Sequence, residues 1–230
     1  MILFLDFDGV THAEPCFHEN VFCRLHLIEA VLRERELSNV QIVISSSWRE
    51  SHSLDELRDF FAPDIQGRVI GVTPDIWDST QPQAFVRERE CLAWLAANRP
   101  TGECWLAIDD RPLWFQPNCP NLFLTDTQQG FEPTQMGSLR DMLWERLIPM
   151  TRLSAYIADL AKRHGIVYVK TGSSDLAEVI TEFSGDEVKP DDTEKVVIAL
   201  RRANVIDGKT MVTLLGRYFD ETRKEGKMAC

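Results

Sequence analysis

Three short segments carry side chains that can do chemistry together. The first is Asp6-Phe7-Asp8-Gly9-Val10-Thr11. Two carboxylates two residues apart, just past an apolar run, can divide two jobs. The first can attack phosphorus and become an aspartyl phosphate. The second can protonate the leaving alkoxide and later deprotonate water. Gly9 permits a sharp turn that brings backbone N–H groups towards phosphoryl oxygens. A calcium-loop reading fails, because Glu14 is the only further acid up to Phe17 and no glutamate closes a twelve-residue loop. The second segment is Ser45-Ser46-Ser47-Trp48-Arg49. A hydroxyl at a strand end can donate to a phosphoryl oxygen, and Arg49 can hold a substrate phosphate. The third is Asp109-Asp110-Arg111. Adjacent carboxylates at a buried strand end repel, and a divalent cation relieves that cost. Magnesium keeps several waters, so Asp6 and Asp110 with the Asp8 carbonyl would suffice to hold it.

These segments need elements to position them. Residues 2–6 form an apolar run ending in acid, the pattern of a buried strand. Residues 22–34 place Leu25, Ile28, Val31 and Leu32 at helical spacing. Residues 40–45 form a second, β-branched strand. Ser53 and Glu56 make a capping box for a helix through Phe61. A strand over 68–72 follows, then a helix over 83–98 with Phe85, Cys91, Leu92 and Leu95 on its apolar side. Strands over 105–109 and 121–125 and a helix over 138–147 complete the series. Strands alternating with helices predict an α/β, three-layer Rossmann-like core around a parallel sheet. In such folds the site lies at the carboxyl ends of the strands. All three polar segments fall at such ends.

Composition changes near residue 150. Residues 1–149 contain no lysine, hold all six tryptophans and carry a net charge of −11, whereas 150–230 are neutral overall. A boundary there divides the chain into a domain over 1–149 and a small, mostly helical one over 150–230. In the latter, helices are expected over 153–164, 191–203 and 207–224, and a strand over 166–170. His164 reads as a helix-end residue. The acidity of the first part gives no global attraction for nucleic acid. No apolar run reaches the ~20 residues of a membrane span. The chain reaches Asp6 too soon for a signal peptide. The six cysteines form no C-x-x-C pair, so neither a zinc site nor a disulfide framework is expected. A reduced, cytoplasmic protein is the expectation.

The order of the segments, D-F-D-G-V-T, then a hydrophobic strand ending in serine, then L-A-I-D-D, resembles the haloacid dehalogenase (HAD) superfamily over residues 1–148. The strings I-V-I-S-S-S-W-R, G-V-T-P, R-x-x-E-C-x-x-W-L and W-L-A-I-D-D resemble the HAD domains of RNA-repair proteins. D-D-R is similar to the 3′-phosphatase half of phage polynucleotide kinases. The resemblance implies a magnesium-dependent phosphatase with Asp6 as nucleophile and Asp8 as acid–base. It implies a lysine or arginine before the last motif. No lysine precedes Lys162, so Arg87 is expected there, with Arg89 as the alternative. Related patterns favour Ser46 over Ser45 in motif two. They make Asp110 a direct metal ligand, with Asp109 behind it. Gly9, Ser45 and Arg49 are expected to bind substrate.

Motifs one and two lie only about 37 residues apart, too close for an inserted cap domain, so an open site is expected. The substrate expected is a nucleotide or polynucleotide terminus, with a small phosphorylated metabolite close behind. The rival reading is a HAD-like binding or regulatory, immunity-type protein whose C-terminal helices engage a protein partner. Intact Asp6 and Asp8 argue against it.

Overall fold

The computed structural model describes residues 1–76, 84–166 and 190–228. They divide into two compact units, Met1–Leu147 and Ile148–Cys230.

The first unit is built on five parallel strands: β1 (Ile2–Leu5), β2 (Gln41–Ile44), β3 (Val69–Val72), β4 (Trp105–Asp109) and β5 (Leu122–Leu124). Their order across the sheet is β3-β2-β1-β4-β5, all neighbours parallel. β1 is buried throughout, and β2 and β4 are buried beyond their first residues, which is why they read as continuous apolar runs instead of alternating ones. Helices precede or follow the strands: α1 (Leu25–Leu32), α2 (Leu54–Asp59), α3 (Pro63–Gln66), α4 (Val86–Asn98) and α5 (Met136–Leu147). Ile2, Phe4, Val43 and Ala107 form one core with Cys91, Trp94 and Leu95 of α4. Phe4 meets the Trp94 and Trp105 rings edge-on at 5.9 and 5.8 Å. The alternate residues Leu3, Leu5, Ile42, Ile44, Leu106 and Ile108 are buried on the opposite face. There α1 and α5, which pack on each other, bury Ile28, Leu32, Leu139 and Leu143. The architecture is the expected three-layer α/β core. Among the described residues no separate cap domain interrupts it.

The Ser53–Glu56 capping box forms: Ser53 Oγ accepts from the Glu56 N–H, and the Glu56 carboxylate accepts from the Ser53 N–H at 2.7 Å. Two expectations for α4 need correcting. The helix begins at Val86, after Phe85 in the left-handed region at φ 56°; the expected start at Gln83 lies outside the described residues. Leu92 is 44% exposed, and Trp94 takes the place on the apolar side expected of it. The first turns of α4 instead bury Arg87, Glu88 and Glu90. A helix whose buried face begins charged defeats a purely apolar periodicity.

The second unit packs three described helices together: α6 (Leu153–Arg163), α7 (Asp192–Arg202) and α8 (Gly208–Met228). Leu153, Ile157, Leu160, Val197, Leu200, Leu214 and Tyr218 are buried. The Asp191 capping box opens α7, and Tyr218 Oη donates to Asp191 Oδ2 at 2.5 Å. The Glu221 carboxylate accepts the Arg152 and Leu153 N–H groups at the start of α6. The expected strand over 166–170 falls, apart from its first residue, outside the described residues. No described helix is long and apolar enough to cross a membrane.

Candidate functional site

Parallel register decides which side chains meet. Leu5 of β1 pairs with Ile44 of β2 and Ile108 of β4. Ladder bonds then run from Asp6 N to Ile108 O (3.1 Å) and from Ser45 N to Leu5 O (2.9 Å). The next residue of each strand, Asp6, Ser45 and Asp109, therefore reaches the carboxyl edge at one level. This is where α/β sheets place ligands.

Asp6 is buried, and its Oδ1 accepts the Phe7 N–H at 2.8 Å. Burial raises its pKa to about 6. Arg87, the Ser46 hydroxyl and the Phe7 N–H counter the rise, while Asp110 adds to it. Burial also pushes Asp109 well above the carboxylate range, with Asp6 reinforcing the shift and Arg87 opposing it. Asp6, Asp109 and Asp110 each offer a carboxylate oxygen within 4.8 Å of the others. Gly9 makes room for this cluster. At φ 68°, an added Cβ would lie 2.9 Å from the Asp110 Cβ and closer still to its carboxylate.

Asp8 stands apart from the carboxylate cluster. Its side chain is 35% exposed. Both of its oxygens accept from Trp48 Nε1, at 3.2 and 3.0 Å, and His12 Nε2 lies 3.1 Å from Oδ1. The His12 hydrogen bond, with Trp48 helping, draws its carboxyl below the usual range against the opposing effect of burial. His12 is itself buried, its Nδ1 lying 3.1 Å from Thr11 Oγ1. Sequence reasoning missed both partners of Asp8. His12 carries no spacing signal. Trp48 stood in the S-S-S-W-R string, but its target is forty positions away. Around Trp48 lie half-buried aromatic rings, with His52 stacked at 5.2 Å and Phe22 at 5.2 Å edge-on.

The two open choices take different positions. Arg87 is buried: Nη1 donates to Glu90 Oε2 at 3.0 Å, and Nε lies 3.4 Å from Asp109 Oδ2 without a hydrogen bond. Its guanidinium stacks over Trp114 at 5.1 Å. Arg89, on the same helix, is exposed. Ser45 and Ser46 are both buried, and neither hydroxyl has a hydrogen-bond partner. Of the two, Ser46 lowers the Asp6 pKa. Arg49 Nη1 donates to the Ser45 and Ser46 carbonyls (3.2 and 2.9 Å) and its Nη2 to Glu90 Oε1 (2.8 Å). Both terminal nitrogens are committed within the protein, and Nε has no hydrogen-bond partner.

The buried polar side-chain atoms without hydrogen-bond partners, among the described residues, are Ser45 Oγ, Ser46 Oγ, Arg49 Nε, Thr73 Oγ1, Arg87 Nε, Asp109 Oδ2 and both oxygens of Asp110. All follow β2, β3 or β4 or project from the start of α4. Buried polar groups normally find partners, so these atoms are available to a bound ion, water or ligand. Four buried carboxylates here, Asp6, Asp109, Asp110 and Glu90, face two buried guanidiniums and the partly exposed Arg111, whose Nε lies 3.3 Å from Asp110 Oδ2. A hard divalent cation with oxygen ligands would cancel that deficit and use the orphaned oxygens of Asp110. The residues present therefore fit magnesium.

A family model described as the HAD domain in Swiss Army Knife RNA repair proteins matches residues 2–136. No curated protein and no solved structure matches the chain. The match spans more than half of the chain and takes in Asp6, the serines after β2, α4 and the Asp109–Asp110 pair, so the chain belongs to this family of HAD domains.

Proposed function

We propose that the protein is a magnesium-dependent phosphomonoester hydrolase that works through an aspartyl phosphate on Asp6. The observation that carries this is the set of orphaned buried donors and acceptors around Asp6: hydroxyls and a guanidinium on one side, carboxylates on the other. Donors suit phosphoryl oxygens and acceptors suit a cation. A core serving only to bind a partner would not account for them.

Asp6 forms the bond to phosphorus while the ester P–O bond breaks, and the leaving alkoxide takes a proton from Asp8. Asp8, now ionised, removes a proton from water, which attacks the acyl phosphate to release inorganic phosphate and regenerate Asp6. The hydrogen bonds from His12 and Trp48 stabilise the ionised Asp8 that this second half needs. Ser46 and Arg87 steady the transferring group. Asp6 and Asp110, with the Asp8 carbonyl, would hold Mg²⁺ and Asp109 would stand behind them. The ion would supply the positive charge that lets an anionic nucleophile approach an anionic phosphate.

The substrate class proposed is the phosphate of a nucleotide or polynucleotide end. It rests on the family's RNA-repair description and on the half-buried aromatic rings beside Asp8. The −11 charge of residues 1–149 favours an end over a long duplex tract. A panel of ribose 5-phosphate, mononucleotides and 3′- or 5′-phosphorylated oligonucleotides tests both parts. Turnover is expected with Mg²⁺, not with EDTA, and not by Asp6→Asn. Undiminished turnover by Asp6→Asn would sink the mechanism.

A further inference from the structure

Glu90 lies outside the three chemical segments, yet it joins two of them. Its Oε1 accepts from Arg49 at 2.8 Å and its Oε2 from Arg87 at 3.0 Å. All three side chains are nearly inaccessible, at 4% exposure for Glu90, 7% for Arg49 and 6% for Arg87. Arg49 continues the chain to the Ser45 and Ser46 carbonyls. Arg87 continues it to Asp109 at 3.4 Å. A single carboxylate thus links the turn after β2, the start of α4 and the end of β4.

We propose that Glu90 is a positioning residue that holds the Ser45–Ser46 turn and the Arg87 guanidinium together as one phosphate-receiving unit. This rests on the reading that a phosphoryl group is received there. Two buried guanidiniums side by side repel, and the carboxylate between them removes that repulsion while fixing their spacing. The bridge consumes Arg49 Nη1 and Nη2, Arg87 Nη1 and the two serine carbonyls. It leaves Ser45 Oγ, Ser46 Oγ and Arg87 Nε without hydrogen-bond partners. The groups left over are donors, as an incoming phosphoryl group requires. An amide could not replace the carboxylate. Its oxygen could serve one arginine, but its NH₂ would face the N–H of the other.

The test is Glu90→Gln in the full-length protein. With ribose 5-phosphate, kcat should fall about 10–100-fold, on the scale of a misplaced catalytic group, while KM changes less than about threefold. Vanadate inhibition should weaken in parallel with kcat. Arg49→Gln in the Glu90→Gln background should add little further loss, since both break the same bridge. Wild-type kcat in folded Glu90→Gln, or fully additive losses in the double variant, would overturn the proposal. Should Glu90→Gln fail to fold, Arg49→Gln alone removes one arm. Lost kcat with retained KM then supports the bridge, and unchanged kcat overturns it. Slowly exchanging Nη–H signals of Arg49 and Arg87, seen by NMR and lost in Glu90→Gln, read the bridge without turnover. Those signals in a wild-type protein that hydrolyses no phosphate would sink the phosphatase reading, and the positioning role with it. Turnover that ignores Glu90→Gln sinks the positioning role alone.

Discussion

The indole N–H of Trp48 reaches both carboxylate oxygens of Asp8, at 3.2 and 3.0 Å. The ring cannot swing away, because Phe7, Phe22, Phe60 and His52 pack around it. A hydrogen bond to a charged group contributes about 1.5–3 kcal/mol. Trp48→Phe keeps the ring packing and removes the donor, so turnover should fall roughly 10–100-fold. The donor favours the ionised Asp8 that hydrolysis of the acyl phosphate needs, so the loss should be no larger for an alkyl phosphate than for p-nitrophenyl phosphate. A loss confined to the alkyl phosphate would show that the indole N–H serves leaving-group protonation instead.

Gly9 sits where no side chain fits. Gly9→Ala would place a methyl against Asp110 in a left-handed backbone conformation. A cost of about 1–3 kcal/mol is expected from the backbone alone. The melting temperature should drop, and Mg²⁺ should no longer restore it, because Asp110 must move. Calorimetric titration of Mg²⁺ into wild type and variant measures this.

Arg87 donates to Glu90, faces Asp109 at 3.4 Å and lays its plane on Trp114. Lysine keeps the charge but has neither fork nor plane. Arg87→Lys should lower kcat at least tenfold, whereas Arg89→Lys, at an exposed position, should leave it unchanged. The reverse ranking in steady-state assays would reassign the motif.

Burial, with Asp110 adding to it, gives Asp6 a pKa of about 6 against its ordinary 3.8 in the metal-free protein. Between these values the folded state holds a proton that the unfolded state has lost. Stability of the metal-free protein should therefore fall as pH rises from about 4 to about 6. Asp6→Asn removes the charge, so in EDTA at pH 7 it should melt above wild type. A lower melting point than wild type would contradict the burial of a charged Asp6.

The sheet and its covering helices lie within Met1–Leu147, and the second unit has its own buried residues. We therefore expect a fragment ending at residue 149 to remain folded and to hydrolyse p-nitrophenyl phosphate. Its selectivity among larger phosphates should change if residues 150–230 govern access. An insoluble or unfolded 1–149 fragment would show that the C-terminal residues complete the core.

Local chemistry made much of this protein readable in one dimension. Apolar runs ending in acid marked β1 and β4, and Trp105–Asp109 matches its expected bounds. The Ser53–Glu56 and Asp191–Glu194 boxes form because capping involves residues only three positions apart. The three polar segments could be brought to one site because strand ends in a parallel sheet share one edge, while the choice of Ser46 over Ser45 and of Asp110 over Asp109 rested on the family resemblance. What distance in the chain separates, only tertiary structure could decide. The sequence offered Arg87 with Arg89 as the alternative, and helix rotation buried one and exposed the other. It offered Arg49 as a phosphate ligand, and packing gave both of its terminal nitrogens to Ser45, Ser46 and Glu90. It said nothing of Trp48 and His12 as the partners of Asp8. A hydrogen bond needs a partner within about 3 Å, and periodicity constrains only which face of an element a residue occupies. Which of those residues then come into contact is set by register, crossing and packing.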